Sequence, residues 1–537
     1  MPDSPPTNET RLSERWRPQL GLGLILLSLV AWASWFIYRT SFRVGDSRVF
    51  CLFDDAMISM TYARNVVEGW GLNWARFGEP VEGFTCPLWV AAMVPVNLLP
   101  VSLEVRSLFV QLLSLCLLMV MLLLVKRLVT GHFGAPTRSH WVPAVVLTAG
   151  YYPLLYWSLM GMETALQAVL LVAMVLTTLD ITERRRPRHV LFFCLASLAY
   201  LTRMDMLLCV GICVLFLVLT ARPRRETVRS WVLGGAIFLG TLVSYQAFRW
   251  LYFHDVLPNT YYLKLSGIPL HLRILRGLSV LPDFLISHGW ILGICLAGML
   301  FVREKRRTLL LPLCIVLAYI AYSVYVGGDA WEHSPIDANR FVAFALPLVF
   351  VVFTGLANRL LSQLDAGRVL GREVGTKLLY ATTMVLALIT NGLLVNPESR
   401  EKWQAALVTE RPFLVTSHHL VATETLSLKK RFPSGTRVAT AWSGIPAYFT
   451  DFEMVDVLGY NDPLIAHLDP VPSLSVDTFE KITPGHMKWN LNLTIESRRP
   501  QVFYQTWGYT EEQLRRILPG YGYQPDGSLW IRERSTH

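Results

Sequence analysis

The chain has 537 residues, 53% of them hydrophobic and 16% charged, with a mean hydropathy of +0.40. Soluble domains are about 25% charged, so this composition excludes a disordered chain, a disulfide-stapled secreted domain and an ordinary cytosolic enzyme. The net charge of +10 does not point to nucleic acid, because the basic residues sit between apolar blocks and form no stripe interleaved with aromatics.

A helix needs roughly 17–25 apolar residues to cross a bilayer. On that basis the sequence predicts spans at 20–38, 107–125, 142–158, 163–180, 189–202, 206–221, 231–253, 286–302, 308–326, 341–357 and 378–396. The pair 189–202 and 206–221 is short and lies between basic clusters at Arg184–Arg188 and Arg222–Arg225. It reads as a helical hairpin with Arg203-Met204-Asp205 at its tip. The stretch 87–100 reads as an interfacial or re-entrant helix, not a span. With that assignment, the segments on one side hold 22 Lys/Arg in 77 residues, and the loops on the other hold 11 in 121. The positive-inside rule then places the N-terminus in the cytoplasm and residues 398–537 outside. Ala31-Trp32-Ala33 resembles a signal-peptide cleavage site, but the apolar run continues to Tyr38, which favours an uncleaved anchor.

After residue 397 charges return and apolar runs shorten. Arg437–Trp442, Met454–Gly459, Arg499–Tyr504 and Ser528–Arg532 read as strands, and Thr510–Leu518 as an amphipathic helix. The expected architecture is therefore a polytopic α-helical membrane module of eleven or twelve spans (1–397, first outer loop 39–106) followed by a small extracytoplasmic α/β domain (398–537). The eight cysteines show no metal spacing. Cys51 and Cys86 share the first outer loop, where an oxidising compartment would permit a disulfide. P-loop, HExxH and GxSxG motifs are absent.

The unusual polar residues fall on the side assigned as outside. The first loop carries Asp54-Asp55, Arg64, Glu79 and Glu82; Glu163 ends a span; Arg203 and Asp205 cap the hairpin. The loop 254–285 carries Asn259, Tyr261 and Lys264, and the loop 327–340 carries Asp329, His333 and Arg340. Ionisable groups at membrane depth face a cavity or one another, so five distant loops are candidates to line one site. Each residue also has a plainer reading. One of Asp54-Asp55 caps the helix beginning near Ala56, which leaves the other as metal ligand, base or partner of a cation. Arg203 and Asp205 pair at the tip, Lys264 snorkels, Glu82 and Glu163 serve as caps, and His333 is a satisfied loop histidine.

Phe53-Asp54-Asp55-Ala56-Met57-Ile58-Ser59, Tyr62-Ala63-Arg64-Asn65 and Val81-Glu82-Gly83-Phe84-Thr85 together resemble the first outer loop of polytopic glycosyltransferases of the GT-C fold. Gly161-Met162-Glu163, Thr202-Arg203-Met204-Asp205, Pro258-Asn259-Thr260-Tyr261-Tyr262-Leu263-Lys264, Gly327-Gly328-Asp329, Asn339-Arg340-Phe341, Gly459-Tyr460-Asn461-Asp462 and Pro484-Gly485-His486 continue the resemblance in order. It is strongest to the bacterial branch containing the terminal arabinofuranosyltransferases. The resemblance implies a polyprenyl-phosphate sugar donor, a glycan or protein hydroxyl as acceptor on the outer face of the cytoplasmic membrane, and inversion at the anomeric carbon. In that chemistry Asp54 or Asp55 is the expected base, and Lys264, Arg203 and Arg340 the expected phosphate-binding cations. Glu82, Glu163, Asp205, Asn259, Tyr261, Asp329 and His333 are expected to bind or orient the sugar or the acceptor. Some enzymes of this fold use a divalent cation, so a metal is an open expectation here. Trp442, Tyr448, Tyr460 and Trp507 are candidates for stacking on sugar rings or for core packing. Deleting the outer domain is expected to weaken acceptor use more than donor hydrolysis. The competing classes are a multi-span transporter or glycolipid flippase, and a membrane scaffold.

Overall fold

A computed structural model describes residues 8–134, 139–183, 188–220, 225–302, 306–332, 339–366, 371–471 and 479–532. The Arg184–Arg186 and Arg222–Arg224 parts of the basic clusters, and His333, lie outside the described residues.

In chain order the helical part runs as follows. Helix α1 (Asn8–Thr40) leads into a β-hairpin of β1 (Phe42–Val44) and β2 (Ser47–Val49), then α2 (Asp54–Val67), α3 (Pro87–Asn97) and α4 (Leu103–His132). Next come α5 (Val142–Ala149), α6 (Tyr152–Leu159), α7 (Thr164–Thr182), α8 (His189–Thr202), α9 (Leu207–Thr220) and α10 (Arg225–Phe253). They are followed by α11 (Asn259–Leu265), α12 (Leu270–Phe301), α13 (Arg306–Val326), α14 (Arg340–Ala343), α15 (Leu346–Ala366) and α16 (Arg372–Thr390). Among the described residues, eight helices are long and apolar enough to cross a membrane. They lie in α1, α4, α7, α10, α12, α13, α15 and α16.

The differences from the sequence reading have local causes. The span expected at 142–158 is broken into α5 and α6 at Gly150-Tyr151, with Pro153 in the first turn of α6. Proline is tolerated there because it lacks only an N–H that would have no helical partner. Asn391 mends the break, accepting from the Tyr152 N–H at 2.8 Å and donating to the Gly150 carbonyl at 3.0 Å. Helix α12 begins sixteen residues before the expected span start at 286, and its 32 residues reach about 48 Å at 1.5 Å per residue. That exceeds the roughly 30 Å of a hydrocarbon core, so part of the expected loop 254–285 is helix standing clear of it. Helix α3 has 11 residues, too few to span. Helices α8 and α9, 14 residues each, form the hairpin, with a 3-10 turn at Met204–Met206 in its tip.

The C-terminal region comprises α17 (Ser399–Leu407), α18 (Val415–Arg431), β3 (Arg437–Thr440), α19 (Ile445–Phe449), β4 (Glu453–Asp456), α20 (Pro463–Ala466), α21 (Leu491–Arg498), β5 (Val502–Phe503), α22 (Glu511–Ile517), β6 (Tyr523–Asp526) and β7 (Leu529–Arg532). The five strands form one mixed sheet in the order β4-β3-β5-β7-β6. The β3 pairs with β4 and β5 are parallel, and β7 is antiparallel to both β5 and β6. Successive strand residues point to opposite faces. Val438, Met454 and Val502 join the core that continues into the helical bundle, whereas Ala439, Val455, Phe503 and Trp530 join a second core beneath α21 and α22. One face of the sheet thus shares a core with α18, α19 and the bundle, and the other packs under α21 and α22. Cys51 and Cys86 are both buried free thiols, and Cys86 Sγ lies 3.6 Å from Ser59 Oγ.

Candidate active site

Helix α2 is the centre of the site. Its residues Ala56 to Asn65 are all buried, so it runs inside the protein, between the bundle and the C-terminal domain. The acid pair occupies its first turn, but neither carboxylate caps α2 itself, whose N-cap is Phe53 without a side-chain bond. Asp54 instead caps α19: its carboxylate accepts the Gly444 N–H at 3.1 Å and the Ile445 N–H at 2.8 Å. Burial pushes the Asp54 carboxyl up to about 7, with the neighbouring Asp55 adding to the rise and these two amides opposing it.

Asp55 points the other way. Its Oδ2 accepts from Arg340 Nη1 at 2.8 Å, and 28% of its side-chain surface is open. Burial raises its carboxyl, but Arg340 and Lys264 outweigh that and hold it below the ordinary carboxylate range. Arg340 is itself fixed by Asp329, whose carboxylate accepts from Nε at 2.9 Å, Nη2 at 3.1 Å and the Arg340 backbone N–H at 3.0 Å. The Trp157 ring lies 5.1 Å beneath the guanidinium. Asp329 sits on a turn that Arg276 of α12 staples through the carbonyls of Gly327 and Asp329 and the Glu332 carboxylate.

Lys264 lies on α11, 5.6 Å from the Tyr460 ring. Burial, then Arg340, lower its pKa, while Asp55 and Asp329 oppose the shift. Among the described residues its ammonium makes no ion pair or hydrogen bond. The third expected cation, Arg203, is already occupied: it binds Asp205 through Nε and Nη2 (2.8–3.2 Å) and Glu163 through Nη1 (2.8 Å). The plain pairing of Arg203 with Asp205 is the one observed, with Glu163 as a third member.

Two cavities meet at these groups. The larger, of about 350 Å3, is walled by Phe84, Trp89, Tyr322, Tyr325 and the Arg203 cluster, with Tyr261 also on its lining. The smaller, of about 180 Å3, is walled by Trp331, His418, Trp442, His486 and Trp507. Asp55, Lys264, Arg340 and Tyr460 line both.

Two expected site residues do other work, and one of the four aromatic candidates takes the core-packing role. Glu82 does not line either cavity. It is a buried clamp that accepts from Arg249 of α10 and from the Tyr245 hydroxyl at 2.6 Å. Asn259 is a bracket, donating to the carbonyls of Gly459 (2.8 Å) and Tyr460 (2.9 Å). Tyr448 is core, fully buried with its hydroxyl 3.0 Å from Asn97. The described residues offer no preformed cage of protein ligands for a divalent cation. Asp55 and Asp329 are bridged by a guanidinium, and no group of three or more His, Cys, Asp or Glu is placed to ligate one.

Sequence reasoning missed Trp331, His418 and the structural carboxylate Asp456. Asp456 accepts the backbone N–H groups of Leu458, Gly459 and Asn461 at 2.8–3.0 Å and so shapes the turn that presents Tyr460. Only Asp456 left a trace, as an acid inside an otherwise apolar strand.

The backbone resembles a crystal structure of ArnT from Cupriavidus metallidurans bound to undecaprenyl phosphate, with a TM-score of 0.56 at 11% identity, over 96% of this chain and 98% of that one. The fold is GT-C. An Archaeoglobus fulgidus oligosaccharyltransferase, tethered to an acceptor peptide containing the NVT sequon, matches with a TM-score of 0.50 at 12% identity, over 91% of this chain and 69% of that one. Residues 415–530, from the start of α18 into β7, match the domain of unknown function DUF8728. No curated protein matches the chain by sequence.

Proposed function

We propose that this protein is a membrane glycosyltransferase that moves a sugar from a polyprenyl-phosphate donor to a hydroxyl acceptor with inversion. The observation that carries the reading is the junction of two cavities at one carboxylate and one ammonium, Asp55 and Lys264. The larger cavity, walled by ends of bundle helices, suits a lipid-linked head group whose tail leaves between spans. ArnT, of the same fold, binds undecaprenyl phosphate, which supports a lipid-phosphate donor here.

The leaving group is a phosphate, which needs charge stabilisation and no proton. Lys264 supplies it, since Arg203 and Arg340 are each held by two carboxylates and Lys264 by none among the described residues, and a fixed cation acts strongly at developing charge in an enclosed site. The acceptor oxygen forms a bond to the anomeric carbon as the bond from that carbon to the phosphate oxygen breaks with its electron pair. The acceptor's proton goes to Asp55. Asp55 is ionised at neutral pH because Arg340 and Lys264 keep it so, and its Oδ1 makes no hydrogen bond among the described residues. Asp54 holds α19 and takes no part in the proton transfer. The charge bias of the loops supports a site on the outer face of the cytoplasmic membrane, with the C-terminal domain outside. The sequence resemblance further implies arabinofuranose as the sugar and a cell-envelope glycan or protein as the acceptor.

The test uses purified protein in nanodiscs with a labelled polyprenyl-phosphate arabinofuranose donor and envelope extract as acceptor. Asp55→Asn is expected to lower transfer by at least about 10²-fold, the usual worth of general-base assistance, while undecaprenyl phosphate still binds. Transfer at the wild-type rate by Asp55→Asn refutes the assignment. Transfer of a different polyprenyl-phosphate sugar by the wild type corrects only the sugar.

A further inference from the structure

The smaller cavity shares Asp55, Lys264 and Arg340 with the larger one, and the rest of its wall is unusual. It is a run of ring contacts: Trp507 to His486 (centroids 5.3 Å apart), His486 to Trp331 (6.5 Å), Trp331 to Phe53 (5.5 Å), Phe53 to His418 (5.8 Å) and His418 to Trp442 (5.6 Å). All but the first are edge-to-face. Asp54 and Asp55 also line this cavity. Within the collar, His418 is 1% exposed, yet among the described residues neither of its ring nitrogens has a hydrogen-bond partner. His486 lines the same cavity. Burial lowers the pKa of both rings, that of His418 to about 3, so both are neutral at pH 7 and each offers one donor and one acceptor.

Buried polar groups are nearly always paired in native proteins. The two unpaired nitrogens of His418, among these rings and beside Asp54 and Asp55, therefore point to a ligand that brings its own donors and acceptors. The volume of about 180 Å3 is below the roughly 300–1,000 Å3 of pockets that enclose drug-sized ligands, so the ligand part inside is small. A sugar ring has the matching chemistry. Its C–H faces lie on the negative faces of aromatic rings, and its hydroxyls both donate and accept. A serine or threonine side chain brings one hydroxyl and would leave most of the wall uncovered.

We propose that this aromatic collar is the subsite for one neutral monosaccharide unit of the acceptor, seated with a hydroxyl toward Asp55. The word acceptor rests on the glycosyl-transfer reading; the carbohydrate site itself does not. Trp507, 38% exposed, is the most open of the three tryptophans, so a longer glycan continues past it.

Saturation-transfer NMR on the full-length protein in nanodiscs, with a panel of methyl pentosides and hexosides at millimolar concentration, tests the site directly. At least one glycoside is expected to give a signal that falls fivefold or more in Trp442→Ala and in Trp507→Ala, and stays unchanged in Lys377→Ala, which alters an exposed side chain outside both cavities. Trp507 is exposed enough that its removal leaves the fold intact. The proposal is overturned if no glycoside gives a signal, or if both tryptophan variants keep it undiminished. A glycoside signal in protein that does not bind undecaprenyl phosphate supports the collar and sinks the transfer reading, so the two fail separately.

Discussion

Asp54 and Asp55 are neighbours in sequence with opposite environments, and that separation decides their roles. The raised group is the helix cap and the lowered group is the one facing both cavities. For a carboxyl whose folded pKa of about 7 lies above the unfolded value of about 3.9, the favourable contribution is complete below about pH 4 and is lost as pH rises to about 7. Asp54→Asn keeps a side-chain oxygen for the cap and removes the titration. Thermal unfolding in detergent from pH 4 to 8 should then show a shallower decline for the variant than for wild type. Identical slopes would show that Asp54 does not titrate in this window. At Lys264, replacement by Met should weaken undecaprenyl phosphate binding by about tenfold or more, read by titration in nanodiscs. Unchanged affinity would remove it from the phosphate site. That the acid pair is special was legible from two adjacent carboxylates before a buried helix. Their division of labour was not, because the deciding partners lie 390 residues away at Gly444 and 285 away at Arg340. Arg203 shows the same limit: its charge was legible, but its saturation by Glu163 is a tertiary fact.

At the scale of elements, α2 grips α19 at both ends. Asp54 takes the amides at its start, and Arg64, 5% exposed, donates to the carbonyls of Tyr448 (2.6 Å) and Thr450 (2.9 Å) at its end. The signs match the helix dipole. A Cβ on Gly444 would collide with the Asp54 carbonyl oxygen, so glycine here sets the distance between the two helices. The other fixed joint is Glu82 with Arg249, 2% and 1% exposed at their side chains. Removing one partner of a buried pair leaves an uncompensated charge and costs about 3–5 kcal/mol. Arg249→Met should therefore lower thermal stability sharply, and Glu82→Gln combined with Arg249→Met should restore most of it. A double variant no more stable than the single would mean the loss comes from packing. Long helices with clean flanks were legible because apolar length alone specifies them, as in α4, α7 and α13. The break between α5 and α6 was not, since Asn391 makes an interrupted span tolerable from another helix. The early start of α12 was missed because its first turns carry Arg273 and Arg276, which read as loop until Arg276 is seen stapling the Asp329 turn.

At the scale of the whole molecule, the C-terminal domain holds the proposed donor site as well as the proposed acceptor side. Helix α11, which carries Lys264, is held to that domain at several points. Asn259 donates to the Gly459 and Tyr460 carbonyls, and the Tyr262 ring stacks on His467 at 4.2 Å. Lys488, buried and contributed by the C-terminal domain, donates at once to the Tyr262 carbonyl (2.9 Å) in α11 and the Ala466 carbonyl (2.8 Å) in α20. The ammonium thus joins two short helices near their C-terminal ends, where the negative end of each helix dipole favours a cation. The sequence reading expects loss of the outer domain to weaken acceptor use more than donor hydrolysis, whereas these contacts tie the domain to Lys264 as well. Lys488→Met, which reaches no cavity wall and leaves Lys264 in place, is therefore expected to weaken undecaprenyl phosphate binding about five- to tenfold. The comparison is made by titration in nanodiscs, at a temperature where its unfolding curve still matches the wild type. If the affinity is unchanged while the protein remains folded, α11 holds its position without the domain, and the donor site is built by the helical bundle alone.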